Sequence, residues 1–216
     1  MNELLMDRLR QVAEEKSDGS DPAHDYLHIL RVAKNAQVIA AGENGNPAIV
    51  IPAAILHELF SFPKNHPESP RSGEVCAQLA RESLLATEYP ADLIDPICYC
   101  IAVHPFSLGT TPDTLEAKIL QDADRLDSIG AIGIARCFST GAVMKSPFYQ
   151  ADDPFCEEHE PDDKRWCLDH FYKKLLKIFD QLHTLTARNL ATQRTAFLEG
   201  FLHQLRQELG DIRREM

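Results

Sequence analysis

An all-α fold interrupted by two long loops is what the sequence predicts, on three observations. Apolar residues recur at helical spacing along most of the chain. No stretch of useful length alternates apolar and polar residues with the period of two that marks a half-buried strand. Prolines, glycines and acids gather in residues 61–73 and 139–164, segments too long to be simple connections.

The first helix is predicted from Leu4, Leu5, Leu9 and Val12, which recur at helical spacing. Asp21-Pro22 then reads as a helix start, because proline is tolerated in a first turn where its missing N–H is not needed. The helix that follows carries Tyr26, Leu27, Leu30, Val32, Ala33, Ala36 and Ile39, and residues 42–47 end it. Residues 49–60 are apolar almost throughout, which fits a buried helix or a buried strand; length and alanine content favour the helix. The loop at 61–73 holds three prolines. Helical patterns resume at 74–87, 91–103 and 115 to about 138. After the loop at 139–164, two more patterns run from 165 to about 183 and from 184 to about 215. There are no internal repeats. The expectation is one domain over 1–216, with its core at about 20–140 and C-terminal helices at about 165–215 packed upon it.

The chain has 216 residues, 44% hydrophobic and 25% charged, enough apolar material for a sizeable core without disulfides. The six cysteines show neither a CxxC pair nor zinc-knuckle spacing, so they read as free thiols packed in helices. A formal net charge of −11 argues against a nucleic-acid polymer or a membrane surface as partner. A small phosphorylated molecule stays admissible, because a cation and a few local basic groups can dominate the field inside one pocket. The amphipathic N-terminus is not a signal peptide, and no apolar run is long enough to span a bilayer. The expected location is the cytoplasm.

Three segments carry chemistry. His24-Asp25-Tyr26-Leu27-His28 puts two imidazoles on one helix face. His57-Glu58 closes the buried apolar run. Gln121-Asp122-Ala123-Asp124-Arg125-Leu126-Asp127 sets acids within an apolar helix. Charges are costly to bury unless paired or bound to a metal, and a cation would account for both Glu58 and Asp124. Imidazole plus carboxylate without thiolate suits Mn, Mg, Fe, Co, Ni or Zn. His57-Glu58 also begins a near-match to the metalloprotease signature HExxH, but Ser61 stands where the second histidine belongs.

Together these segments resemble the HD-domain superfamily of metal-dependent phosphohydrolases, in particular small stand-alone bacterial members. That pattern has a histidine on one helix, a His-Asp doublet on another, and an aspartate in an Ala-Asp-x-Leu context on a later one. The matching positions here are His28, His57-Glu58, and Asp124 in Ala123-Asp124-Arg125-Leu126. The text around His24-Asp25-x-x-His28-x-x-Arg31, His104-x-Phe106-Ser107 and His170-Phe171-Tyr172 is similar too, over roughly residues 20–205. One departure stands out: glutamate replaces the aspartate of the doublet and extends the carboxylate by one methylene.

The resemblance implies an HD-domain helical bundle holding one divalent metal through His28, His57, Glu58 and Asp124. A second metal and a homo-oligomer stay open. It further implies hydrolysis of a small phosphorylated substrate, with a nucleotide among the candidates, and Glu58, Asp124 and His104 as the catalytic groups. Lys64, Arg71 and Arg125 are the candidate substrate contacts, and His66 is a further candidate ligand. Asp25, Asp122 and Asp127 are candidates to orient the ligands or, equally, to cap helices. His159, His183 and His203 fall outside the site. Three alternatives are set against this reading. One is a degenerate HD domain that binds metal or nucleotide without catalysis, which the Glu58 departure favours. Another is a dinuclear iron oxygenase on the same fold. The last is an aspartyl-phosphate phosphatase built on Asp122-x-Asp124, which would need a preceding strand.

Overall fold

A computed structural model describes residues 3–17, 25–62, 66–105 and 108–210. The expected helix start at Asp21-Pro22, together with His24, Lys64, Phe106 and Ser107, lies outside these residues. Among the described residues there is no strand, and no helix is long and apolar enough to cross a membrane. The chain forms two compact units, one of residues 1–126 and 183–187, the other of residues 127–182 and 188–216.

The first unit contains helices α1 (Glu3–Lys16), α2 (Tyr26–Glu43), α3 (Pro47–Leu56), α4 (Ser72–Ala86) and α5 (Ala91–Val103). Helix α6 (Leu115–Asp127) belongs to it up to Leu126. α1 buries Met6, Leu9 and Ala13 and leaves Leu4 exposed, so its inner face is turned relative to the expected one. The apolar run is indeed a helix. Pro47 stands in its first turn, the side chain of Asn46 accepts from Ala48 N–H, and every residue from Val50 to Leu56 is buried. Each Ile or Leu there contributes about 1.5–3 kcal/mol by leaving water. Pro52 inside α3 cannot donate to the carbonyl of Ala48, a loss that ordinarily weakens a helix. The hydroxyl of Tyr89 takes over that carbonyl at 2.8 Å, so the half-buried acceptor is satisfied. Gly73 lies in the first turn of α4, where any Cβ would collide with the carbonyl of Ala102 near the end of α5.

The second unit corrects three expectations. The pattern from 115 to about 138 is broken in two: α7 (Gly130–Met144) follows α6 after Ser128 and Ile129. Gly130 has φ of +73°, a conformation open to glycine and disfavoured for residues with a Cβ. Residues 165–183 form no single helix. A short α8 (Asp169–Lys173) is followed by 3-10 turns at Leu175–Lys177 and Phe179–Gln181. Buried Phe171, Leu175, Ile178 and Leu182 are spaced as on a helix, which is why the pattern misled. Lys174 at φ −131° and ψ −59° leaves helical geometry and interrupts the hydrogen-bond ladder. Helix α9 (Leu185–Leu209) closes the described chain. All six cysteines are free, as expected, but Cys156 and Cys167 lie in irregular chain rather than in helices.

Candidate metal centre

Asp25 caps α2. Its carboxylate accepts the N–H of His28 at 2.8 Å, satisfying a donor that the first turn leaves without a partner. The cap fixes the backbone that carries His28, whose ring is fully buried. Asp25→Ala is expected to lower unfolding free energy by about 1 kcal/mol. Thermal melts will read this as a fall of about 2–4 °C, which Asp25→Asn largely avoids because its amide oxygen accepts the same bond.

His57 ends α3 as its C-cap, with φ −70° and ψ −17°. Its Nδ1 lies 2.7 Å from the carbonyl of Ala54. A carbonyl can only accept, so Nδ1 carries the proton and Nε2 holds the lone pair. That Nε2 is buried and has no hydrogen-bond partner among the described residues. His104, which follows α5, repeats the device: its Nδ1 donates to the carbonyl of Ile101 at 2.6 Å. In both cases a carbonyl three residues back, left over at a helix end, selects the tautomer. Gln121 steadies the second of these helix ends. Its amide N–H groups donate to the carbonyls of Val103 at 2.8 Å and Thr110 at 3.1 Å. Sequence reasoning passed over Gln121; a polar amide within an apolar helical pattern was the available signal.

These side chains converge. Ligand atoms of His28, His57 and Glu58 all lie within 4.8 Å of one another. Asp124, reaching in from α6, puts Oδ1 3.5 Å from Nε2 of His28. The ring centroids of His28 and His57 are 5.4 Å apart, and those of His57 and His104 are 5.2 Å apart. Burial, with His104 and His28 alongside, pushes His57 down to about 3, and burial lowers His104 as well. Both rings are therefore neutral near pH 7, the state in which imidazole is a metal ligand. A buried imidazole lone pair beside two carboxylates, with no donor to fill it, fits a divalent cation. The extra methylene of Glu58 has not removed its carboxylate from the cluster.

The remaining candidates are placed as follows. Arg71 is exposed and ion-paired with Glu68 at 2.8 Å and Glu74 at 3.1 Å. Arg125 is buried, with Nη1 3.1 Å from Nε2 of His183. His66 is exposed and stacks on Phe62 at 4.8 Å, its Nδ1 accepting from the N–H of Glu68. Lys64 is among the residues not described. Two of the orienting candidates turn elsewhere. Asp122 accepts from the backbone of His183 and Thr184, and Asp127 pairs with Arg136 at 2.9 Å.

The HD domain family model matches residues 25–129, the span that holds the whole cluster. The chain is 29% identical to the Bacillus subtilis protein YpgQ over 208 residues, which is 94% of this chain and 91% of YpgQ. The crystal structure of YpgQ in complex with ADP matches with a TM-score of 0.74 and 30% identity, covering 96% of this chain and 99% of that one. A Lactobacillus plantarum protein matches with a TM-score of 0.76 and 28% identity over 96% and 98% of the two chains. An HD-superfamily hydrolase from Bacillus thuringiensis matches with a TM-score of 0.71 and 29% identity over 95% of each.

Proposed function

This chain belongs to the HD-domain superfamily, and from that premise we propose that it is a metal-dependent phosphohydrolase acting on a small phosphorylated substrate of the nucleotide type. The carrying observation is the lone pair on Nε2 of His57. It is buried, neutral, locked in its tautomer by the carbonyl of Ala54, and grouped with His28 and Glu58. His28, His57, Glu58 and Asp124 would hold the ion, the imidazoles as neutral donors and the carboxylates as the balancing charge. A divalent cation bound there would neutralise charge on a phosphoryl oxygen and acidify a water near neutral pH. The ADP complex of YpgQ supports a nucleotide as the ligand class. His104, buried beside His57 with the lone pair on Nε2, would take or hold a proton there.

Among the cations, Arg125 lies within electrostatic reach of Asp124 and Asp122. It is the residue we assign to the phosphate. Arg71 is held by two glutamates, so a phosphate contact there requires exchange of those partners.

The test is a panel of nucleotides, phosphomonoesters and cyclic phosphodiesters run on protein loaded with Mn, Mg, Co, Ni or Zn, beside Glu58→Asp and Glu58→Gln. Wild type is expected to turn over at least one substrate class in a metal-dependent way. Glu58→Gln, which removes a charged ligand, is expected to lose on the order of 100-fold in metal affinity or activity; even residues that merely orient ligands are worth 10–100-fold. If wild type and Glu58→Asp bind metal but leave every substrate intact, the hydrolase reading fails. Activity in Glu58→Asp alone supports a domain that binds its ligand without catalysis.

A further inference from the structure

The second unit contains another group of ligand-type side chains. Cys156, His159 and Asp169 each offer one ligand atom, and these atoms lie within 4.8 Å of one another. Asp153 organises the turn beneath them. Its carboxylate accepts the backbone N–H groups of Glu157, Glu158 and His159 at 2.9, 2.8 and 3.0 Å. It also takes Nδ1 of His159 at 2.7 Å. The opposite ring nitrogen, Nε2, lies 2.9 Å from Oδ2 of Asp169 and 3.8 Å from Sγ of Cys156. Asp169 is completely buried. Its Oδ2 also accepts from the N–H of Asp162 at 2.7 Å, whereas its Oδ1 is buried with no hydrogen-bond partner among the described residues. An acceptor buried in that way costs about 1–3 kcal/mol, more when it carries charge.

We propose that Cys156, His159 and Asp169 form a second cation site, separate from the His28–Asp124 centre and suited to Zn²⁺. Three features of the group argue for it. A tetrahedral zinc ion, with Zn–S of about 2.3 Å and Zn–N of about 2.0 Å, sets its donors roughly 3–4 Å apart. The observed separations of 2.9 and 3.8 Å have that scale. Asp153 on Nδ1 of His159 is the carboxylate–histidine pairing that aims the other nitrogen at a metal and raises its basicity. Asp169 would bind through Oδ2, and an ion held by both oxygens would also give its orphaned Oδ1 a partner. Binding releases the proton on Nε2 of His159 and the thiol proton of Cys156 as one divalent ion enters, so the net charge of the group is unchanged. Exchange without a change in charge is the form of metal uptake that a partly buried site penalises least. A thiolate in the donor set selects a softer ion than the nitrogen and oxygen donors of the first centre do. The proposal does not rest on the hydrolase reading.

Chelator-treated full-length protein titrated with Co²⁺ tests it, because only a sulfur ligand produces a thiolate-to-cobalt charge-transfer band in the near ultraviolet. Wild type is expected to develop that band to saturation within about two equivalents, because the first centre also takes up cobalt, and to lose it when Zn²⁺ is added. Asp124→Asn, which impairs the first centre, should leave the band in place. Cys156→Ala and the closely sized Cys156→Ser should abolish it while circular dichroism shows the helices intact. Asp169→Asn should weaken cobalt binding at least tenfold. A wild-type protein without the band, or a band that survives in folded Cys156→Ser, overturns the proposal.

Discussion

Asp124→Asn is expected to reduce metal-dependent hydrolysis about a thousandfold while leaving the fold intact. The carboxylate comes within 3.5 Å of Nε2 of His28, and its charge acts on His57 and His104 as well. An amide keeps the shape and removes the negative charge that balances the cation. Metal assistance in phosphoryl chemistry is worth several kcal/mol, and each 1.36 kcal/mol is a factor of ten, so about 4 kcal/mol corresponds to about 10³. The same substitution should not lower the melting temperature of metal-free protein. Asparagine keeps the size and shape of the side chain, so the packing around α6 is retained. Steady-state rates across the metal panel, with melts in chelator, measure both halves. Activity within threefold of wild type places the chemistry elsewhere.

Asp122→Ala, two residues earlier, should do the reverse. Asp122 is completely buried and accepts from the N–H of His183 at 2.9 Å, from the N–H of Thr184 at 2.8 Å and from the hydroxyl of Thr184 at 2.7 Å. Alanine strands those donors, at about 1–3 kcal/mol for each buried one. A loss of about 3 kcal/mol corresponds to a fall of roughly 6–12 °C in Tm for a chain of this size. Asp122→Asn, which keeps one acceptor oxygen, should fall between alanine and wild type. Metal content of the folded fraction is expected to stay at the wild-type level. Calorimetry, with metal analysis of the folded fraction, checks this; an unchanged Tm would show that the anchoring of residues 183–184 lies elsewhere.

The contrast between these two acids shows how far the sequence could be read. Its letters located the run 121–127 and marked it as chemically unusual. They did not say which acid serves which purpose. Successive helix positions point about 100° apart, so the partners of Asp122 and Asp124 come from separate parts of the chain. One pair of partners lies some sixty positions downstream, and no local pattern reports that. Glu58 and Asp124 stand out because each sits in a segment otherwise too apolar for an idle charge, and the resemblance to the HD-domain pattern joins His28 and His57 to them. The fold was legible wherever apolar spacing and punctuation agreed, as at 47–56, where Asn46 and Pro47 mark the start. It was misread where spacing persisted without helical hydrogen bonding, at 165–183. It was also misread where a single glycine broke a good pattern, at Gly130. The group around His159 is not legible in the sequence because Cys156 and His159 lie in an irregular loop while Asp169 begins α8, and its geometry exists only once Asp153 has gathered the turn.

The ring nitrogens of His57 and His104 are tethered to backbone oxygens that any helix terminus leaves over. Folding itself therefore sets the grip: once the two helices stop where they do, the aromatic rings have already lost their rotational freedom. Little ordering remains to oppose capture of an ion, so association should proceed at a rate set by dehydration of the incoming metal rather than by rearrangement of the polypeptide. It also means that lengthening either helix by one residue, far from any ligand atom, would be enough to swing a ring out of register.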